Sequence, residues 1–207
     1  MPLYTTAPLS LDIRIIQEGR NVAFEVVKSE LVYQGQAFDI RRDQLQAPDG
    51  RLYWVDIVSH PQAVTMIPID PSGTIWFVRQ YRHPGGQILL ELPAGTMEEG
   101  ETPKISAQRE IREEIGMGAS NLQRIGGFYM APGYSSEYLH VYLAQELYEN
   151  PLPGDQDEFI NVEKIPAAQA LSMAESGQIE DGKTLAALFL ARPHLAQIGF
   201  LSAGKGA

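Results

Sequence analysis

Gly95-Thr96-Met97-Glu98-Glu99-Gly100-Glu101-Thr102-Pro103-Lys104-Ile105-Ser106-Ala107-Gln108-Arg109-Glu110-Ile111-Arg112-Glu113-Glu114-Ile115-Gly116-Met117 is the stretch that decides the fold. It opens as a loop and becomes a helix. Thr102 reads as the N-cap, and Pro103 sits at the first helical position, where its missing N–H is no loss. Ile105, Ile111 and Ile115 recur near helical spacing, and Gly116 is placed to end the helix. On that helix Glu110 and Glu114 are i,i+4 neighbours on one face, with Glu113 one residue to the side. Three carboxylates this close repel one another unless a positive charge lies between them. A helix has no structural need for such an arrangement, whereas a hard divalent cation takes oxygen ligands of this kind. Glu101, at the loop-to-helix junction, can reach the same face. Arg109 is i,i+4 to Glu113, and a forked pair with that carboxylate is expected. Ile111 and Ile115 face the other way and are expected to pack on a sheet.

Outward from this stretch, the chain upstream reads as strands. Residues 11–16, 22–27, 31–33, 37–40 and 52–58 are short, apolar or β-branched runs broken by turn segments such as Glu18-Gly19-Arg20-Asn21 and Pro48-Asp49-Gly50. Three stronger strands are expected over residues 63–69, 74–81 and 87–92, the last running into Gly95. Downstream, strands are expected over 122–130, 138–145 and 159–162. Two helices then close the pattern, one over 166–176 stopped by Gly177 and one over 183–192 stopped by Pro193. A β-rich part over residues 1–58 followed by a main domain over 59–207 is the expected division.

The composition narrows the classes. A 207-residue chain can bury a full core. Twenty-six acidic against 16 basic residues give a net charge of -10, which repels a phosphate backbone and argues against nucleic-acid binding. A small phosphorylated substrate remains compatible if cations stand between carboxylates and phosphates. No apolar run reaches the roughly 20 residues of a membrane span, and no membrane association is expected. With no cysteine and no apolar leader, a cytoplasmic location is expected. His60, His83, His140 and His194 have no metal-ligand spacing.

Written as Gly, five residues, Glu, seven residues, Arg-Glu-Ile-Arg-Glu-Glu-Ile-Gly-Met, the quoted stretch resembles the Nudix box at every defining position. The flanks Gln80-Tyr81-Arg82 and Glu91-Leu92-Pro93-Ala94-Gly95 agree with it. Pro132, within Met130-Ala131-Pro132-Gly133-Tyr134-Ser135-Ser136-Glu137, stands where the ADP-ribose pyrophosphatase subgroup carries a proline beyond the box. The resemblance implies an α/β/α sandwich with a mixed β-sheet, preceded by a small β-rich part that helps build a homodimer. It implies hydrolysis of ADP-ribose to AMP and ribose 5-phosphate with Mg²⁺, Mn²⁺ being an alternative.

Carried onto matching positions, it makes Glu110, Glu114 and the carbonyl of Ala94 metal ligands, with Glu101 positioning or supplementing them. It makes Arg82 and Glu137 substrate contacts, with Pro132 beside them. The base for the attacking water is left between Glu158 and Asp157, in an acidic loop beyond the box, and Glu113 within it; Glu158 is alternatively a ligand. Trp54 and Tyr53 read either as a stacking surface for a base or as core, the commoner fate of such aromatics in a strand. Other nucleotide sugars such as GDP-mannose, dinucleotides such as FAD or NADH, and a ligand sensor without turnover are the competing readings. The intact glutamates speak against the last.

Overall fold

The computed structural model describes residues 14–17, 20–154 and 159–201. The chain divides into two compact units. One comprises Met1–His60 with Ala131–Ser136, the other Pro61–Met130 with Glu137–Ala207.

In the first unit, β1 (Arg14–Gln17) and β2 (Arg20–Ala23) pair antiparallel, and β3 (Glu25–Gln34), β4 (Asp39–Gln46) and β5 (Leu52–Ser59) form an antiparallel meander in that order. Two expectations are corrected here. The runs expected over 22–27 and 31–33 are not separate strands of that kind: the chain breaks at Phe24 and then continues unbroken through the ten residues of β3. The strand expected to end at Ile40 instead begins at Asp39 and runs to Gln46. Its polar sequence hid it, because the charges are satisfied across the sheet rather than by alternation with apolar residues. Arg42 donates to Asp56 at 2.7 Å, and the buried Asp43 accepts from Ser29 at 2.6 Å and Arg41 at 3.0 Å. The Leu11–Ile13 part of the first expected strand lies outside the described residues. The segment around Pro132 belongs to this unit through backbone bonds to β5, from Val58 N–H to Tyr134 O at 2.7 Å and from Ser136 N–H to Val58 O at 3.0 Å.

The second unit holds β6 (Ala63–Pro68), β7 (Thr74–Arg82), β8 (Gln87–Glu91), β9 (Ala94–Thr96), α1 (Pro103–Ile115), β10 (Met117–Tyr129), β11 (Tyr138–Glu149), β12 (Ile160–Pro166), α2 (Ala167–Glu175) and α3 (Gly182–Gln197). One sheet has the order β10-β11-β6-β9, mixed because β11 and β6 run parallel; the other is antiparallel, in the order β12-β7-β8. Every residue of β6 is buried, as expected where both faces of a strand are covered. Side-chain alternation sorts the core into two layers. Val64, Met66, Val78, Tyr142 and Ala144 pack with Ala107, Ile111 and Ile115 of α1. Ile67, Ile75, Phe77, Val141 and Leu143 pack with Ala170 of α2 and with Ala187, Leu188, Ala191 and Leu195 of α3. The α/β/α sandwich with a mixed sheet is therefore the fold of this unit.

Both ends of α1 are as the sequence implies. The Thr102 side chain accepts from Ile105 N–H, Pro103 begins the helix, and Gly116 ends it at φ 71°, a left-handed conformation that suits glycine. The end of α3 is a correction. Pro193 does not stop the helix, which runs on to Gln197. Continuing buries Leu195 completely on the stripe begun by Ala187, Leu188 and Ala191, and that burial outweighs one missing backbone hydrogen bond. The strand β9 was not foreseen; it pairs Thr65 with Ala94 and Val64 with Gly95, and so fixes the start of the box on the sheet. Among the described residues no helix is long and apolar enough to cross a membrane.

Candidate active site

β9 and α1 bring the candidate residues together. Glu110 and Glu114 are both buried although acidic, at 8% and 7% exposure. The carboxylate of Glu114 accepts from the Ala94 N–H at 2.9 Å. Glu110 lies directly over Gly95: a Cβ built there would stand 2.0 Å from its carboxyl carbon, so only glycine admits the carboxylate. The expected closeness of Ala94, Gly95, Glu110 and Glu114 is thus present in the fold.

Arg109 is the positive centre of the group. Its Nε and Nη2 fork onto the two oxygens of Glu101, each at 2.9 Å, and its Nη1 reaches Glu110 at 2.7 Å and Glu113 at 2.9 Å. Nη2 also donates to Thr96 O at 3.1 Å, tying the helix to β9. The expected fork to Glu113 is corrected: Glu113 receives one bond, and the fork goes to Glu101. A carboxylate approaching edge-on from the loop can meet two guanidinium N–H groups, which a neighbour one helical turn along cannot. Glu101 is thereby a partner of Arg109 first. The Arg109 hydrogen bonds, opposed by burial and helped by the Glu98 N–H at 2.9 Å, hold its carboxyl down to about 2. The hydrogen bonds of Glu101, with those of Glu113 and Glu110 and the charge of Glu110, hold Arg109 above its ordinary value despite burial.

One guanidinium among Glu101, Glu110, Glu113 and Glu114 leaves surplus negative charge at a partly buried place. A divalent cation would offset it, and the oxygen-only donor set suits a hard ion. Among the described residues no three acidic or histidine side chains group closely enough to enclose an ion by themselves. That fits a cation held by one or two carboxylates and completed by backbone oxygen, solvent and phosphate, the habit of Mg²⁺.

The remaining candidates are dispersed. Arg82, at the end of β7, forks onto Glu91 with Nε at 2.8 Å and Nη2 at 2.7 Å. Glu137 is half-buried just before β11, and Pro132 is exposed in the segment bound to β5. Trp54 on β5 is 44% exposed, with the Lys28 ammonium 5.8 Å from its ring centre; neither it nor Tyr53 is core within its unit. Asp157 and Glu158 lie outside the described residues. Sequence reasoning gave no role to Glu91, which holds Arg82, or to Lys183 and Asp181, which are joined to it in turn. The available hint was an acid inside the apolar run Ile88-Leu89-Leu90-Glu91-Leu92.

Buried carboxylates stand on a helix that follows a glycine-bearing strand, and comparison with known proteins gives the chain a family. The NUDIX domain matches residues 59–188, and the chain belongs to the Nudix hydrolase family. It is 36% identical over 166 residues to the ADP-ribose pyrophosphatase of Bacillus subtilis (strain 168), spanning 79% of this chain and 90% of that protein. Over 166 residues and the same shares it is 33% identical to the methanol dehydrogenase activator of Bacillus methanolicus. Among solved structures, that of an ADP compounds hydrolase superposes with a TM-score of 0.77 at 26% identity, covering 86% of this chain and 97% of that one.

Two outcomes follow from this geometry. Gly95→Ala displaces the Glu110 carboxylate and lowers turnover by about a hundredfold or more while the circular dichroism stays native; activity within twofold of wild type overturns the close-approach argument. Glu101→Gln lowers stability in a pH-dependent way. The folded-state pKa of Glu101 lies below its ordinary 4.5, so the carboxylate adds stability above that pH, and the contribution drains away as pH falls toward 2. Urea titrations should find the variant weaker at pH 7 and equal to wild type near pH 2; a constant deficit at both would count against it.

Proposed function

We propose that this chain hydrolyses ADP-ribose to AMP and ribose 5-phosphate with the help of Mg²⁺, for which Mn²⁺ can substitute. The observation that carries the reading is the placement of the buried carboxylates of Glu110 and Glu114 against the Ala94–Gly95 backbone, in a chain 36% identical to an ADP-ribose pyrophosphatase. Glu110, Glu114 and the Ala94 carbonyl would hold the cation, with Glu101 acting mainly through Arg109. When bound, the cation would draw negative charge from the phosphate oxygens and lower the pKa of the attacking water.

The oxygen of that water attacks one phosphorus, the bond from this phosphorus to the bridging oxygen breaks, and the water's proton passes to a carboxylate. Glu113 is the described candidate for that base. It is 23% exposed and oriented by Arg109. Glu158 and Asp157 are its rivals from the loop beyond the box. Arg82 meets the negatively charged phosphates, and Glu137 the sugar, near the segment marked by Pro132. Trp54, exposed on β5, offers a face to the base.

The first unit supports an assembly reading as well. Val27, Leu31, Val32, Tyr33 and Trp54 are exposed apolar side chains on β3 and β5, which an assembly would cover. A homodimer formed through the part over residues 1–58, acting in the cytoplasm, accounts for them. Light scattering should give twice the 22.9 kDa chain mass; a monomeric mass would sink the dimer.

The decisive assay offers ADP-ribose, GDP-mannose, FAD and NADH with Mg²⁺ or Mn²⁺ and follows AMP or phosphate. ADP-ribose should turn over fastest, and chelation should abolish the activity. Glu114→Gln should lose more than about a hundredfold in kcat with an unchanged fold. Faster turnover of GDP-mannose or FAD overturns the substrate. Tight ADP-ribose binding without turnover of any compound favours instead a sensor or regulator, the class that resemblance to the activator protein suggests.

A further inference from the structure

The first turn of α3 meets the last residue of β8 in a buried charge network around Arg82, in which the reaction above leaves Glu91, Lys183 and Asp181 without a role. The Glu91 carboxylate is 1% exposed and accepts both edge N–H groups of Arg82 together with the Lys183 ammonium. Lys183 also donates to Asp181 at 3.1 Å, and Asp181 caps α3 by accepting from Thr184 N–H at 2.9 Å. The Thr184 hydroxyl accepts from Leu92 N–H at 2.8 Å. One residue on, the Pro93 carbonyl accepts from Thr65 Oγ1 at 3.0 Å and Met66 N–H at 2.9 Å. The network therefore grips the segment that leads straight into Ala94 and Gly95.

Burial pushes the Glu91 carboxyl up, but the hydrogen bonds of Arg82 and the charge of Lys183 outweigh it and keep the group ionised. Arg82 is held above its ordinary value by its bonds to Glu91 first, against burial, and also by the charges of Glu114 and Asp181. Stability alone does not call for this arrangement, since a buried ion pair is commonly no better than well-packed apolar residues of similar volume. What it does supply is aim. Forking through Nε and Nη2 fixes the plane and direction of a long side chain that is still 39% exposed.

We propose that Glu91, clamped by Lys183, is a positioning residue that aims the Arg82 guanidinium at the substrate's pyrophosphate, making the first turn of α3 a part of the catalytic framework. This rests on the reading of Arg82 as a substrate contact. Lys183, its charge shared with Asp181, anchors the Glu91 carboxylate to the cap of α3. Arg82 then reaches the phosphates with its orientation already set, so the cost of ordering it is met in the folded protein rather than on binding.

The test is a double-mutant cycle on ADP-ribose hydrolysis with Glu91→Gln, Arg82→Ala and the pair, accompanied by calorimetric titration with Mn²⁺ alone and by unfolding midpoints. Glu91→Gln should raise KM by about tenfold to a hundredfold, with kcat within about threefold and Mn²⁺ affinity unchanged. Added to Arg82→Ala, it should cost less than about twofold more in kcat/KM, because it acts through that residue. Lys183→Met, which keeps the apolar stem, should shift KM the same way by less, and it carries the test if Glu91→Gln folds poorly. Full multiplication of the two losses overturns the proposal. So does a Glu91→Gln variant that loses kcat and Mn²⁺ affinity with KM untouched. A normal KM in Arg82→Ala removes Arg82 from the substrate site and the proposal with it; wild-type turnover in the same series separates that result from failure of the hydrolase reading.

Discussion

Three carboxylates share one guanidinium beside a fourth, Glu114, and much of the second unit is arranged around that imbalance. Arg109 reaches Glu101, Glu110 and Glu113 and touches the backbone of β9 as well. It prevents the acids from repelling one another out of the fold, yet it cannot cancel their charge. A place that is acidic, partly buried and lined by oxygen attracts a hard cation by electrostatics alone. The same constraint explains why Gly95 carries no side chain: the Glu110 carboxylate occupies the volume a Cβ would need.

That concentration of charge needs a rigid support, and the two-sided sandwich supplies it. β6 lies between layers, with Val64 and Met66 toward α1 and Ile67 toward α2 and α3, and it pairs directly with β9. Burial of Ile111 and Ile115 commits one face of α1 to the sheet. Its acidic residues are then committed by helical geometry to the edge beside β9. The apolar layer and the acidic site are two consequences of one helix orientation.

A second acid is handled quite differently. Glu91 is nearly inaccessible and is satisfied by two cations, Arg82 and Lys183, so its local charge is not negative in excess. Glu110 shares Arg109 with Glu101 and Glu113, whereas Glu91 is bonded by both Arg82 and Lys183. This contrast separates a group suited to attracting a metal from one suited to holding a neighbour in place, although Glu91 and Glu110 are both buried glutamates of the same unit.

The sequence alone determined whatever depends on neighbours within a turn or two of chain. The cap at Thr102, the stop at Gly116 and the shared face of Glu110 and Glu114 follow from helical spacing, and the structure has all three. The strong strands of the core were legible from their apolar, β-branched runs, most of all β6, which is buried throughout. Tertiary structure decided what rests on partners distant in the chain. Glu101 took the fork of Arg109 because the loop brings it edge-on, and Leu195 carried α3 past Pro193 because the core had room for it. β4 formed from a polar sequence because its charges found partners on adjacent strands. Glu91 met Lys183, 92 residues along the chain, only through the packing of α3 against β8. Local spacing is written in the order of residues, whereas the pairing of distant charges depends on how helices and strands are brought together, and no short stretch of sequence contains that.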